Sequence, residues 1–220
     1  MPTMTDLASA KATLKDAIRK FSYRENHEQP FTLASGKISP YYFDLKQTLL
    51  QPGYLALAGE VVAGIIAQHY QGKVIAAGLT MGADPIIYAA CLAHGGAGVD
   101  GGQDALQAGD LAGMDGSTTL TNHSLRLIPA IVRKEAKDHG TGKKIEMLKG
   151  IDTTTPCVMV DDVITTAGST LKAFAAMREA GFTVRHAICI LDRGEGGREA
   201  LLSNGVELLP VFTAAEFREK

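Results

Sequence analysis

The sequence lacks the features of several common protein classes. It has 220 residues and a formal net charge of only -2, with 22 basic and 24 acidic residues. A chain without strong positive charge is not typical of proteins that bind polyanions, so we expect no nucleic acid partner. No stretch approaches the roughly 20 apolar residues that a membrane-spanning helix needs. Residues 1–20 lack the apolar core of a secretion signal, so we expect a cytoplasmic protein that does not bind membranes.

Cysteine is also scarce. Cys91, Cys157 and Cys189 each lie within an apolar run, and their number is odd. This pattern is typical of buried, reduced thiols in a cytoplasmic protein. No group of side chains has the spacing of a metal cage, so we predict no metal site built by the protein alone.

Two nucleotide-binding signatures are missing. The sequence has no G-x-x-x-x-G-K-[ST] loop, which an ATPase would need in addition to a strand that ends in acids. No G-x-G-x-x-G follows an apolar strand and opens a helix, so a Rossmann dinucleotide site is excluded as well.

The most informative segment that is present runs from residue 157 to residue 170. An apolar run, Cys157 to Val160, leads into Asp161 and Asp162, and a stretch rich in hydroxyls follows. We interpret the run as a buried strand that delivers two acids to the carboxyl edge of a sheet. The hydroxyl-rich stretch predicts a loop whose N–H groups, at the start of a helix, can bind an anion. Paired acids suit a sugar diol and the loop suits a phosphate, whereas the alternative is a strand end with solvated acids and a helix cap.

Strands and helices alternate through most of the chain, which predicts a mostly parallel α/β sheet flanked by helices. Pro129 should place its strand at an edge or a bulge. The segment of about 94–123 is rich in glycine and poor in large apolar residues, so we expect a surface insertion there. The predicted strands are 74–78, 125–132, 157–160, 184–191 and 206–212, and the predicted helices lie behind Thr5-Asp6, around 57–70, at 85–92, at 171–181 and after the capping box 213–216.

The segment around Asp161 resembles the phosphoribosyl diphosphate (PRPP) binding motif of type I phosphoribosyltransferases. Residues 31–44 resemble the orotate-side motif of the orotate phosphoribosyltransferase family, residues 133–140 its mobile catalytic loop, and residues 191–193 a motif near its orotate site. The resemblance implies one domain over 1–220, with a small hood formed by about 1–50 and a C-terminal piece. It also implies transfer of phosphoribose from PRPP to orotate in UMP synthesis, by a Mg²⁺-dependent homodimer.

The resemblance further implies roles for individual residues. Asp161 and Asp162 would hold the ribose hydroxyls, and the loop of about 133–145 would act on the diphosphate in the neighbouring subunit. The implied catalytic residues are Lys137, Arg133, His139, Asp161 and Asp162. The implied PRPP-binding residues are Lys134, Asp161, Asp162, Val163, Ile164, Thr165, Thr166, Ala167, Gly168, Ser169 and Thr170, with Thr80, Met81 and Gly82 as a diphosphate loop. The implied orotate-binding residues are Tyr42, Phe43, Thr165 and Arg193.

Two positions depart from the family pattern. Gly82 stands where one common form of the family has lysine, and Ala34 stands where many relatives have lysine. Both changes remove a cation from the phosphate side, and Lys37 is a candidate to compensate. Asp84 could reach Mg²⁺ through water or cap a helix, whereas Asp192 should be structural. The metal would be held mainly by substrate phosphates, as is usual for Mg²⁺.

Two other functions stay open at this point. One is a phosphoribosyltransferase for another nucleobase, against which the hood motif and Arg193 argue. The other is a non-catalytic, PRPP-sensing regulator, but neither a helix-turn-helix segment nor a broad basic face is apparent in the sequence.

Overall fold

The computed structural model describes residues 4–32, 36, 38–93, 125–134 and 144–218. The predicted glycine-rich insertion, Ala34, Lys37, Lys137 and His139 lie outside this part of the chain. In order, the elements are α1 (Met4–Phe21), β1 (Tyr23–Glu25), β2 (Phe31–Thr32), β3 (Ile38–Ser39), β4 (Tyr41–Phe43), α2 (Lys46–Leu49), α3 (Pro52–His69), β5 (Gly72–Leu79), α4 (Asp84–Ala93), β6 (Leu125–Val132), β7 (Ile145–Met147), β8 (Cys157–Ile164), α5 (Gly168–Glu179), β9 (Val184–Asp192), α6 (Gly197–Leu202), β10 (Glu207–Thr213) and α7 (Ala215–Arg218).

A six-stranded sheet forms the centre of the fold, in the order β10-β9-β8-β5-β6-β7. All neighbours run parallel except β7, which is antiparallel to β6. One apolar cluster packs on each face of the sheet, with α1, α3 and α4 on one side and α5 on the other. Strands covered on both faces are apolar almost throughout, which explains the continuous hydrophobic runs of β5 and β8. The mostly parallel α/β sheet flanked by helices is therefore confirmed.

The segment 157–170 differs from its predicted boundaries. Strand β8 continues through Ile164, so Asp161 and Asp162 lie within the strand and not beyond its end. The reason is pairing with β9, because Asp161 lies opposite Cys189 and Ile164 lies opposite Asp192. Helix α5 begins at Gly168, three residues earlier than predicted. The loop between strand and helix is therefore only residues 165–167.

The prediction that Pro129 places its strand at an edge or a bulge is wrong, because β6 lies inside the described sheet and pairs with β5 in unbroken register. Strand β6 is second from the edge of the described sheet, with β7 outside it. Strand β7 pairs only with residues 130–132, whereas Pro129 pairs with Ala76 of β5 on the inner side. The missing N–H of Pro129 is tolerated because the short β7 does not extend as far as this residue.

Helices α3 and α4 approach each other closely. A Cβ atom on Gly59 would lie 2.4 Å from the carbonyl carbon of Ala89, so only glycine permits this packing distance. Leu14 and Ile18 of α1 are fully buried in the cluster on the same face, which agrees with the predicted amphipathic helix. These contacts fix the helices that lead into and out of β5.

The N-terminal and C-terminal segments pack together at one end of the sheet. Strand β1 pairs antiparallel with β4, and the ring of Phe217 in α7 lies 5.5 Å from that of Phe43. Glu216 accepts hydrogen bonds from the N–H and hydroxyl groups of Thr213, at 2.8 and 3.1 Å, as expected for the glutamate of a capping box. The guanidinium of Arg218 lies 4.6 Å from the ring centre of Tyr41. The two ends of the chain thus form one contiguous surface.

Two of the three cysteines are buried, as predicted, and the third is not. Cys157 and Cys189 are free and buried, whereas Cys91 is only partly buried. Burial raises the pKa of Cys91 to about 11 and that of Cys157 to about 12, so these thiols stay protonated at neutral pH. Within the described ranges, no helix combines the length and apolar character that crossing a membrane would demand.

Candidate active site

The paired acids of β8 are held in a defined geometry. Oδ2 of Asp161 accepts hydrogen bonds from the hydroxyls of Ser169, at 3.0 Å, and Thr170, at 2.8 Å. Oδ1 of Asp161 accepts the N–H of Asp162 at 3.1 Å, and Oδ1 of Asp162 accepts the N–H of Val163 at 2.8 Å. Asp161 is only 5% exposed, whereas Asp162 is partly exposed. Asp162 is therefore the more accessible acid for a ligand.

The environment of Asp161 opposes its ionisation. Burial raises the pKa of this carboxyl group to about 6, and the negative charge of Asp162 acts in the same direction. The hydroxyl groups of Thr170 and Ser169 partly offset this effect, because they donate hydrogen bonds to the charged form. The pKa of Asp161 thus lies well above that of an ordinary aspartate.

The loop 165–167 and the first turn of α5 present a row of backbone donors. Ala167 has a left-handed conformation, with φ of 62°, and its carbonyl accepts the N–H of Leu171 at 2.8 Å. The N–H groups of residues 165–170 donate to no other residue that the structure describes. Unpaired N–H groups at a helix N-terminus form a binding site for an anion such as a phosphate. The hydroxyls of Ser169 and Thr170 point to Asp161 instead, so the anion-binding groups are mainly backbone.

A glycine supports this loop from behind. A Cβ atom on Gly197 would lie 2.5 Å from Cγ2 of Ile164 and 2.6 Å from the carbonyl oxygen of Thr165. Helix α6 therefore begins in direct contact with the loop, at a position that only glycine can occupy. No sequence pattern predicts this role of Gly197, because the contact joins residues that are distant along the chain.

A second loop, Thr80 to Gly82, connects β5 with α4. The N–H of Thr80 donates to the carbonyl of Val132 at 2.9 Å, and its hydroxyl donates to Oδ2 of Asp84 at 2.6 Å. The Thr80–Met81 peptide is cis. Oδ1 of Asp84 is buried and has no hydrogen-bond partner among the described residues. Asp84 thus fixes the loop from the first turn of α4.

The loop 80–82, the two acids and Ser169 of α5 border a cavity of about 500 Å³, a size typical of sites for small molecules. Two lysines, Lys46 and Lys134, contribute positive charge to its wall. Its lining residues are Lys46, Leu49, Leu50, Leu79, Thr80, Met81, Gly82, Pro85, Lys134, Asp161, Asp162, Val163 and Ser169. The cavity therefore combines acids and cations around one space, and it reaches the start of α5 at Ser169.

The two ends of the basic segment 133–144 are joined by a backbone hydrogen bond. The N–H of Arg133 donates to the carbonyl of Lys144 at 2.8 Å, which brings the two ends of the segment together. The guanidinium of Arg133 pairs with Glu146 at 3.1 Å, and its Nε is buried without a partner among the described residues. Arg133 thus does not line the cavity in this structure, whereas Lys134 does.

Arg193 follows β9 and lies beside the loop 165–167. Its N–H donates to the carbonyl of Ile164 at 2.9 Å. Its side chain is only 10% exposed and pairs with Glu195 at 2.9 Å, while Nε has no partner in the described part of the chain. The neighbouring Asp192 is structural, as predicted, because it accepts the N–H of Gly194 at 2.9 Å and pairs with Arg198 at 3.4 Å.

The two aromatic residues of β4 are in different environments. Phe43 is buried in the core, where it contacts Phe217 and Tyr23. Tyr42 is exposed and lies 5.4 Å from the ring of Phe31. Alternating side chains of a strand point to opposite faces, so only one of the pair can face a ligand through its ring. Neither residue lines the cavity around Asp161.

Proteins of known function resemble the chain over nearly its whole length. No protein-family model matches the sequence. An orotate phosphoribosyltransferase of Leptospira biflexa is 39% identical over 202 residues, which are 91% of this chain and 93% of the relative. That of Aquifex aeolicus is 33% identical, over 90% of this chain and 92% of the relative. Among solved structures, the orotate phosphoribosyltransferase of Mycobacterium tuberculosis in complex with Fe(III) dicitrate superposes with a TM-score of 0.66 at 26% identity, over 94% of this chain and 98% of the other.

Proposed function

The chain belongs to the orotate phosphoribosyltransferase family, and from that membership we propose that it transfers the 5-phosphoribosyl group from PRPP to orotate. The products are orotidine 5′-monophosphate and diphosphate, and the reaction serves de novo UMP synthesis. The proposal rests on one observation, the cavity where Asp161 and Asp162 lie beside a lysine-bearing wall and the start of α5. One ligand with a sugar diol and phosphates at both ends matches that arrangement.

The charges of the cavity suit the proposed reaction. Cleavage of the bond between C1′ and the diphosphate leaves positive charge on the ribose and negative charge on the leaving group. The carboxylates of Asp162 and Asp161 favour the cationic sugar, and Lys134 faces the diphosphate. The N–H groups of residues 165–168 hold the 5′-phosphate, so that the reacting carbon stays fixed between the acids and the cations.

Orotate would occupy the space between the hood and Arg193. A planar carboxylate is the natural partner of a guanidinium, and Nε of Arg193 has no described partner. The connection of Arg193 to Ile164 places it next to Thr165, which follows that residue in the loop. Tyr42 and the backbone of Phe43 would complete the base site from the hood.

The basic segment would act in a second subunit. Lys137 and His139 belong to this segment, whose ends meet at Arg133 and Lys144. An exposed apolar surface on α3 and α4 supports a homodimer, because Tyr88 is 52% and Leu92 is 73% exposed beside a groove of about 460 Å³. Helix α4 follows directly on the loop 80–82, so a second copy bound there would lie near the cavity.

Mg²⁺ fits the donor set of the cavity. The described residues contain no group of three or more side chains that could hold a metal alone. Asp162, a partly exposed carboxylate, would bind the ion directly or through water, and substrate phosphates would supply the other oxygens. The bound ion would neutralise charge on the diphosphate. We further propose a cytoplasmic enzyme without a nucleic acid partner.

Loss of orotate absorbance in the presence of PRPP and Mg²⁺ tests the proposed function. We expect rapid turnover by the wild type and a collapse in Lys137→Ala and Asp162→Asn, with PRPP binding measured in parallel. Adenine, guanine and hypoxanthine in place of orotate test the purine alternative. PRPP binding without turnover of any base would contradict the proposal and support a PRPP-sensing regulator.

A further inference from the structure

Gly82 stands where one common form of the family carries lysine, and the structure leaves little room for a side chain there. A Cβ atom on Gly82 would lie 2.7 Å from Oδ1 of Asp162 and 3.5 Å from Oδ1 of Asp161. The Asp162 carboxylate cannot move away without loss of its hydrogen bond to the N–H of Val163. The loop 80–82 therefore approaches the acids by backbone alone and supplies no cation to the cavity.

A cation lies on another wall of the same cavity. Lys46 is the first residue of α2 and is exposed, and it lines the cavity together with Thr80, Met81 and Gly82. No hydrogen bond or ion pair links its ammonium group to any other described residue. The nearest acid along the chain, Asp44, is instead engaged by the side-chain amide of Gln47 at 3.1 Å. Lys46 therefore presents positive charge to the cavity.

The backbone that carries Lys46 is firmly anchored. Leu45 and Leu49, on either side of it, are 2% and 7% exposed. The hydroxyl of Thr48 is fully buried, and it lies 2.6 Å from the hydroxyl of Ser22. A short helix held in this way limits the positions from which Lys46 can reach into the cavity. The arrangement is that of a binding residue on a rigid support and not of a lysine on a free surface.

We propose that Lys46 binds the diphosphate group of PRPP and supplies the positive charge that the loop 80–82 lacks. This inference rests on the proposed function, because the diphosphate belongs to the proposed substrate. The ammonium group of Lys46 approaches the diphosphate from the hood side, and Lys134 approaches it from the sheet side. Met81 and Gly82 of the loop 80–82 contribute backbone N–H groups between them. Binding, and not proton transfer, is the role of Lys46.

Calorimetric titration with two fragments of the substrate tests the inference. Inorganic diphosphate with Mg²⁺ reports on the Lys46 side, and ribose 5-phosphate reports on the loop 165–168. We expect Lys46→Ala to weaken diphosphate binding by roughly tenfold or more, as for loss of one charge-assisted hydrogen bond. Ribose 5-phosphate binding should not change, and Lys46→Arg should restore part of the diphosphate affinity. In steady-state assays, the KM for PRPP should rise while the KM for orotate stays constant.

Lys149→Ala is the matched control, because Lys149 is exposed and does not line the cavity. Unchanged diphosphate affinity in Lys46→Ala, or an equal loss for both fragments, would overturn the inference even if the wild type converts orotate. Conversely, a selective loss of diphosphate binding in a protein that does not turn over orotate would support the role of Lys46 and contradict the proposed reaction. Equal unfolding midpoints of both variants would show that Lys46→Ala acts through binding.

Discussion

Thr170 donates its hydroxyl to Oδ2 of Asp161 at 2.8 Å, which connects the first turn of α5 to the buried acid of β8. Thr170 is itself 1% exposed, so this contact is protected from water. The same helix start offers its N–H groups to an anion. The acid that we propose to bind the sugar and the turn that we propose to bind the phosphate are therefore held as one unit, and displacement of either should disturb the other.

We predict that Thr170→Val lowers activity and changes its dependence on pH. Valine keeps the shape of threonine but leaves the charged form of Asp161 with one hydroxyl donor fewer, which should raise its pKa further above about 6. The acidic limb of kcat/KM should therefore move to higher pH, with roughly a tenfold loss of kcat/KM below neutral pH. Thr13→Val, which removes a hydroxyl bond on the exposed face of α1, is the control. An acidic limb that stays in place would show that Asp161 does not control the reaction.

Ionisation of the buried Asp161 should lower the free energy of unfolding. Asp161→Asn should therefore stabilise the fold at pH 7. The pKa of Asp161 is about 6 in the folded state and 3.8 in the unfolded state. Asp161 therefore contributes most to the stability of the fold below pH 3.8, and this contribution is lost as pH rises through about 6. We expect a gain on the order of 1–2 kcal/mol at pH 7, which vanishes near pH 4. Chemical denaturation at both pH values measures it.

Asp152→Asn is the matched control, because the pKa of Asp152 is shifted in the opposite direction. The N–H of Thr154 donates to Asp152 and lowers its pKa, so Asp152 stabilises the fold above its unfolded pKa and loses that effect as pH falls. Its replacement should give no gain at pH 7. Equal changes in the free energy of unfolding for the two variants would contradict a raised pKa for Asp161.

The sequence predicts the sheet and the acids better than it predicts the detail around them. Apolar runs identify β5, β8 and β9 because strands buried on both faces have that pattern. The apolar run does not predict the end of β8, since Asp161 and Asp162 resemble a strand end until their pairing with β9 is known. The roles of Lys46 and Gly197 are not predictable from the sequence for a similar reason. A single lysine or glycine has no pattern, and only the fold brings it to the site.

Gly197→Ala should weaken binding of the 5′-phosphate specifically. The added methyl group would lie within 2.6 Å of Ile164 and of the Thr165 carbonyl, so the loop 165–167 must shift. We expect loss of ribose 5-phosphate affinity with diphosphate affinity retained, the reverse of the effect of Lys46→Ala, and a destabilisation of about 1–3 kcal/mol. Gly53→Ala, whose Cβ meets nothing within 4 Å, is the control. Unchanged ribose 5-phosphate binding would mean that the loop does not hold the phosphate.

Hybrid dimers test whether the basic segment acts across subunits. Lys137→Ala and the double variant Asp161→Asn/Asp162→Asn should each be inactive alone. In a hybrid, the acids of the first subunit meet the intact Lys137 of the second, which restores one complete site. We therefore expect activity to appear when the two variants are unfolded together and refolded, and to be absent when either is refolded alone. Differently tagged subunits confirm that hybrids have formed. If verified hybrids stay inactive, Lys137 serves the acids of its own subunit, and the exposed surface of α3 and α4 has no part in completing the site.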